Sequence, residues 1–141
     1  MNADDRWAIT ETVSRAGHVV DSGDLDRLDT VFSSDAVYDM SAVGVGMPVL
    51  TGTEAVREGA LRMGANGPVA HHVTNVVIVR EDETQAEVDS KGLLLMPDGT
   101  VQSVVHHDVL RHGEDGWRIT RRVIVPQLAA LSGRHTAGAP S

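Results

Sequence analysis

Histidine is the side chain whose ordinary pKa lies closest to neutral pH, so histidines near carboxylates or arginines are where proton transfer is first sought. The chain carries seven of them: His18, His71, His72, His106, His107, His112 and His135. Four stand in adjacent pairs, His71-His72 and His106-His107. Neighbouring side chains of a strand point to opposite faces, so each doublet sends one ring to each side. Asp21, closing His18-Val19-Val20-Asp21, supplies a carboxylate, as does Asp108 after the second doublet. Arg118, Arg121 and Arg122, following Trp117, supply cations able to hold an anion or a developing oxyanion.

Each of these residues also has a plainer use. Asp21 either hydrogen-bonds local backbone at a helix end or turns inward to partner a base. His18, on the same helix, suits a half-buried surface position. A histidine on an apolar sheet face is commonly a hydrogen-bonded core residue, and the arginines can be solvated while Trp117 and Ile119 pack. A metal site needs three or more ligands converging at about 2 Å with a supporting shell. No His-x-x-x-His or His-Glu-x-x-His pattern occurs, so no metal is assigned.

The elements that must position these groups follow from periodicity. Asp4 to Val20 has helical spacing, and Ser22-Gly23-Asp24 breaks it. Asp24 can cap a short second helix, Leu25 to Phe32, followed by a turn at Ser33-Ser34-Asp35 and a short strand, Ala36 to Met40. Ser41 to Thr51 is a glycine-rich apolar loop able to cover a pocket. Thr53 caps a third helix, Glu54 to Met63. From Val69 the period becomes two, giving strands Val69 to Arg80, Gln85 to Met96, Thr100 to His112 and Trp117 to Val125. Short links imply an antiparallel meander. His71, Val73, Asn75 and Val77 then share one face of the first long strand, and His72, Thr74, Val76 and Ile78 the other. Arg122 falls opposite Trp117 unless a bulge intervenes. The fold expected is α+β: a curved antiparallel sheet of four to six strands wrapped as a cone around three N-terminal helices, with a pocket in its mouth. Residues 1–131 make one domain, and the small polar run 132–141 reads as a disordered tail.

Composition narrows the function. A net charge of −8 repels phosphate backbones, and with one Tyr, one Phe and two Trp there is no base-stacking platform, so nucleic acid is not an expected partner. There is no cysteine, hence no disulfide framework. The acidic start, MNADDRWAITETV, does not read as a signal peptide, and no run approaches the roughly 20 apolar residues of a membrane span. A cytoplasmic protein without membrane contact is expected.

Several segments together resemble the SnoaL-like polyketide cyclase/dehydratase group of the NTF2-like superfamily. They are Asp21 to Leu28 leading to Phe32 and Asp35-Ala36, then Gly52 to Val56, His71 to Val76, and Asp115 to Ile119. The resemblance runs to about Pro126. It implies an NTF2-like cone and a cofactor-independent lyase or isomerase (dehydratase, cyclase or isomerase) acting on a small, largely apolar, polyketide- or steroid-like substrate. Dehydratase members use an Asp–His dyad to remove a proton beside an activating group, and here Asp21 and His71 match it. Arg122 matches a pocket arginine. His18, Tyr38, Met40, Asn75, Leu93, Leu95 and His106 are the expected substrate contacts, with Arg122 or Asn75 at the enolate oxygen. Where those enzymes carry Lys or Tyr one turn before the aspartate, this chain has Ala16, leaving His18 or Tyr38 as substitute donors. The resemblance also implies a homodimer through the sheet, whose convex face would carry His72, Val76 and Ile78. The competing reading is a non-catalytic binding or structural subunit on the same fold. An Asp21–His71 contact near 3 Å beside an open cavity favours the enzyme, and a filled, dry core around His71 favours the module.

Overall fold

The computed structural model describes residues 1–135. Its first helix, α1 (Ala3–Asp21), opens on a reciprocal cap: the Asn2 side chain accepts from the Asp5 amide while the Asp5 carboxylate accepts from the Asn2 amide. Ile9, Thr12, Val13, Ala16, Gly17 and Val19 are its buried stripe. At its N-terminal end the Trp117 indole donates to Asp5 at 3.0 Å, tying the helix to the last strand.

The expected second helix is a 3₁₀ segment, Leu25–Thr30, and the Asp24 side chain makes no cap bond. Six residues are too few to sustain an α-helix without such help. Phe32 belongs instead to β1 (Phe32–Asp39). The expected Ser33–Asp35 turn is an excursion inside that strand, where pairing jumps from Phe32–Ile119 to Val37–Arg121. After a 3₁₀ turn at Ser41–Val43 come β2 (Leu50–Thr51) and α2 (Thr53–Met63), the latter capped by Gly52 rather than Thr53. Four long strands follow: β3 (Ala70–Glu81), β4 (Gln85–Leu95), β5 (Val101–Gly113) and β6 (Gly116–Pro126). A 3₁₀ turn at Ala130–Gly133 ends the described chain, and the rest of the expected tail lies outside the described residues.

The six strands form one open sheet in the order β2-β1-β6-β5-β4-β3. It is antiparallel except where β1 runs parallel to β6. Ile9, Val13, Val31, Phe32, Val88, Leu110 and Ile119 are among the core residues sealed between helices and sheet. No helix among the described residues is long and apolar enough to cross a membrane.

Single-residue irregularities, two in β3 (the second at Val79) and one in β6, decide which side chains reach the inside. In β3 the register passes from Thr74–Lys91 to Val77–Asp89, so Asn75 and Val76 together oppose Ser90. Asn75 takes a φ of 54°, a left-handed conformation asparagine tolerates better than most. The slip turns Val76 and Ile78 toward the core and Val77 outward. The convex apolar face therefore carries Val77 and Val79, not Val76 and Ile78, beside the exposed His72. In β6 the register passes from Leu110–Ile119 to Val109–Arg121, leaving Thr120 as the extra residue. Trp117, Ile119, Arg122 and Ile124 are thus all buried on one face despite the change from odd to even numbers.

Candidate active site

α1 lies against β3 because Gly17 lets it. A Cβ built on Gly17 would stand 2.5 Å from the His71 carbonyl oxygen, so no larger residue permits this approach. Asp21 is one turn further along the same helix face and also meets His71. Its Oδ2 accepts from the His71 amide at 2.9 Å, and its Oδ1 lies 2.6 Å from the ring Nδ1. A carboxylate offers only lone pairs, so Nδ1 carries a proton, and in the neutral ring Nε2 has the free lone pair. That nitrogen has no hydrogen-bond partner among the described residues. The two side chains keep 24 % and 26 % of their exposure, enough for a ligand to reach them.

The His71 ring lines a cavity of about 370 Å³ between the sheet, α1, α2 and the 41–50 loop. Its walls are mostly apolar: Phe32, Met40, Met47, Leu94, Met96 and Ile124 contribute, with Val43 and Val45 from the glycine-rich loop. Polar groups gather on the sheet side. Arg122 donates from Nε and Nη2 to the two oxygens of Asp108, both at 2.8 Å, with side-chain exposures of 5 % and 0 %. Burial opposes the Arg122 charge, but the Asp108 carboxylate outweighs it and raises the pKa above the ordinary arginine value. Tyr38 is the register partner of Arg122 across β1–β6. Burial pushes its phenol above the usual range, with Arg122 pulling the other way and Asp108 adding to the rise. It stays un-ionised, a neutral donor. His106 is buried beside them; burial first, then the nearby charge of Arg122, drive its pKa from 6.5 to about 3.

Of the residues singled out from the sequence, Asp21 and His71 come together, and Arg122, Tyr38, Met40 and His106 line the same cavity. His18 does not reach it; its ring is exposed on the outer surface of α1. Asn75 is exposed because the β3 bulge reverses its face. Leu93 and Leu95 point to the outer face, Leu93 as the register partner of His72, and Leu94 and Met96 take the inner positions. Asp108, named from the sequence only as the carboxylate after the second doublet and not as a site residue, is the group that holds Arg122. The available signal was its spacing from His106: two residues apart on an inward strand face, a carboxylate needs a cation. Gln102 lines the cavity by the same alternation. Among the described residues no three His, Asp or Glu side chains converge as metal ligands would.

A helix-backed open sheet around a lateral cavity defines a class, the NTF2-like or cystatin-like fold. A solved NTF2-like protein with a cystatin-like fold from Novosphingobium aromaticivorans superposes with a TM-score of 0.74, at 22% identity over 92% of this chain and 86% of that one. A second structure from that organism, provisionally described as an aromatic ring hydroxylase, is 27% identical with a TM-score of 0.78, covering 92% of this chain and 93% of that one. A third, provisionally a scytalone dehydratase, is 19% identical with a TM-score of 0.72 over 87% and 84%. No curated protein matches the chain. The sequence model of the SnoaL-like domain matches residues 1–123, and the chain belongs to that family.

Proposed function

We propose that this protein is a cofactor-independent lyase or isomerase of the dehydratase/cyclase kind, with His71 as general base and Asp21 as its orienting partner. The observation that carries the reading is the 2.6 Å Asp21–His71 contact on the wall of an open, mostly apolar cavity. The family match and the dehydratase assignments among structures of this fold support the reaction class.

In this scheme Nε2 of His71 takes a proton from the carbon beside a substrate carbonyl. The C–H electron pair moves into the carbon framework and an enolate forms. Arg122 has donors left over after its pair with Asp108, and with the Tyr38 hydroxyl it supplies hydrogen bonds to the enolate oxygen. Asn75 has no part in this, being outside the cavity. In an elimination the enolate expels a β-hydroxyl, which leaves as water with the proton His71 returns. That return makes a donor at Ala16 unnecessary. Asp21 holds the ring in the productive tautomer and stabilises the imidazolium. The substrate class is small, apolar and ketonic or hydroxylated, of polyketide or steroid type.

The test is turnover of His71→Ala and Asp21→Asn on a panel of hydroxylated and ketonic polycyclic compounds. The expected loss is about 10² to 10⁴-fold with little change in Tm. Wild-type rates in both variants end the proposal. Pairing of two copies through the outer sheet face, where Val77, Val79, Leu93 and Val101 stand exposed, belongs to the same reading, and sedimentation equilibrium decides it.

A further inference from the structure

Ser90, Gly92 and His106 form a constellation on the inner wall that the Asp21–His71 dyad does not use. The β4–β5 ladder pairs Ser90 with His106 and Gly92 with Val104. Ser90 is 1% exposed, and its Oγ lies 3.3 Å from Nδ1 of His106. Among the described residues that hydroxyl has no other side-chain partner. A buried hydroxyl proton needs an acceptor, and the Nδ1 lone pair is the one in reach. Nδ1 therefore accepts from Ser90, and the ring's own proton sits on Nε2. Gly92 matters for what it lacks. A Cβ there would come within 2.8 Å of the ring Cε1 and 3.1 Å of Nε2. The missing side chain admits the ring, and His106 itself lines the cavity, its Nε2 without a hydrogen-bond partner among the described residues.

We propose that His106 is a fixed neutral hydrogen-bond donor that reads an acceptor oxygen of the ligand through its Nε2–H, with Ser90 setting the tautomer and Gly92 letting the ring pack against β4. Its role is discrimination between ligands that carry an oxygen at this point and those that do not, rather than proton transfer. Burial and the neighbouring Arg122 charge keep the ring neutral, in agreement with this use. The inference rests on the preceding reading only in requiring an oxygen-bearing ligand in the cavity.

Long-range ¹H–¹⁵N correlation spectra of the wild-type chain without ligand read the tautomer directly. His106 is expected to show the Nε2–H pattern and to hold it from about pH 5 to pH 8, a range across which an ordinary histidine titrates. Ser90→Ala should mix the two tautomers and leave the ring neutral. In a second arm 1-tetralone and its oxygen-free counterpart tetralin are titrated into wild type and His106→Phe. Binding of 1-tetralone should weaken about threefold to tenfold, the worth of one neutral hydrogen bond, while tetralin binds equally or better. An Nδ1–H pattern, titration within that pH range, or equal weakening of both probes overturns the inference. If neither probe binds, the spectra of the wild type alone decide. Should His71→Ala keep full turnover while the spectra and probes behave as expected, the dyad reading falls and this one stands.

Discussion

Asp108 and Arg122 are register partners on β5 and β6, and their side chains meet in a two-pronged pair with both bonds at 2.8 Å, sealed from solvent. Such a pair adds little net stability over an apolar isostere, yet breaking it strands a charge. Asp108→Asn should therefore destabilise the fold by about 3 to 5 kcal/mol. The double replacement Asp108→Leu with Arg122→Met should recover most of that loss. Urea denaturation of the three proteins checks this, and a single-variant cost under about 1 kcal/mol would mean that Arg122 finds another partner.

Gly17 gives a prediction whose sign is diagnostic. In an unconstrained helix Gly→Ala gains up to about 1 kcal/mol. Here the added methyl would press on the His71 carbonyl. Gly17→Ala should instead cost about 1 to 3 kcal/mol and lower activity by moving α1, and Asp21 with it, away from β3. Thermal unfolding together with turnover tests it; a stabilised and fully active variant contradicts the close approach.

His106 should shape acid stability. Its folded-state pKa lies below its unfolded one, so the unfolded chain binds the extra proton as pH falls below 6.5, and stability drops until pH about 3. The slope expected from this group is about 1.4 kcal/mol per pH unit. His106→Phe should remove that slope. Denaturation midpoints measured across the window show whether it does.

The single tyrosine of the chain makes Tyr38 easy to follow. Its phenolate absorbance should appear with a midpoint above the ordinary value of 10.0, because burial disfavours the charged form. Tyr38→Phe should lower kcat by about 10²-fold, as loss of one oxyanion donor does, with KM little changed. A normal titration midpoint would place the hydroxyl in water and remove it from the catalytic proposal.

The fold was largely legible because long segments carry clear periods: α1, α2 and the four long strands lie within a few residues of their expected limits. The segment from Leu25 to Asp39 was not, because a six-residue helix pattern and a 3₁₀ turn share the same apolar spacing. Asp21 and His71 were readable as a pair only through the family resemblance; spacing alone left Asp21 open. The misplaced contacts have one cause each. Asn75 lies at a bulge that alternation cannot reveal. Within Leu93-Leu94-Leu95 the residue types do not tell inside from outside, and only the small Ser90 and Gly92 on the inner face mark the phase. The pairing of Asp108 with Arg122 depended on Thr120 shifting β6 by one residue.

The bulge at Asn75 has a meaning beyond the cavity. β3 is the last strand of an open sheet, and its outer rim offers backbone groups to any passing extended chain. A straight, valine-rich rim such as Val76 to Val79 would be a template for uncontrolled strand addition. The kink interrupts that template with a left-handed residue, and a second extra residue at Val79 interrupts it again, so the border stays irregular along its length and offers no continuous ladder for strand addition.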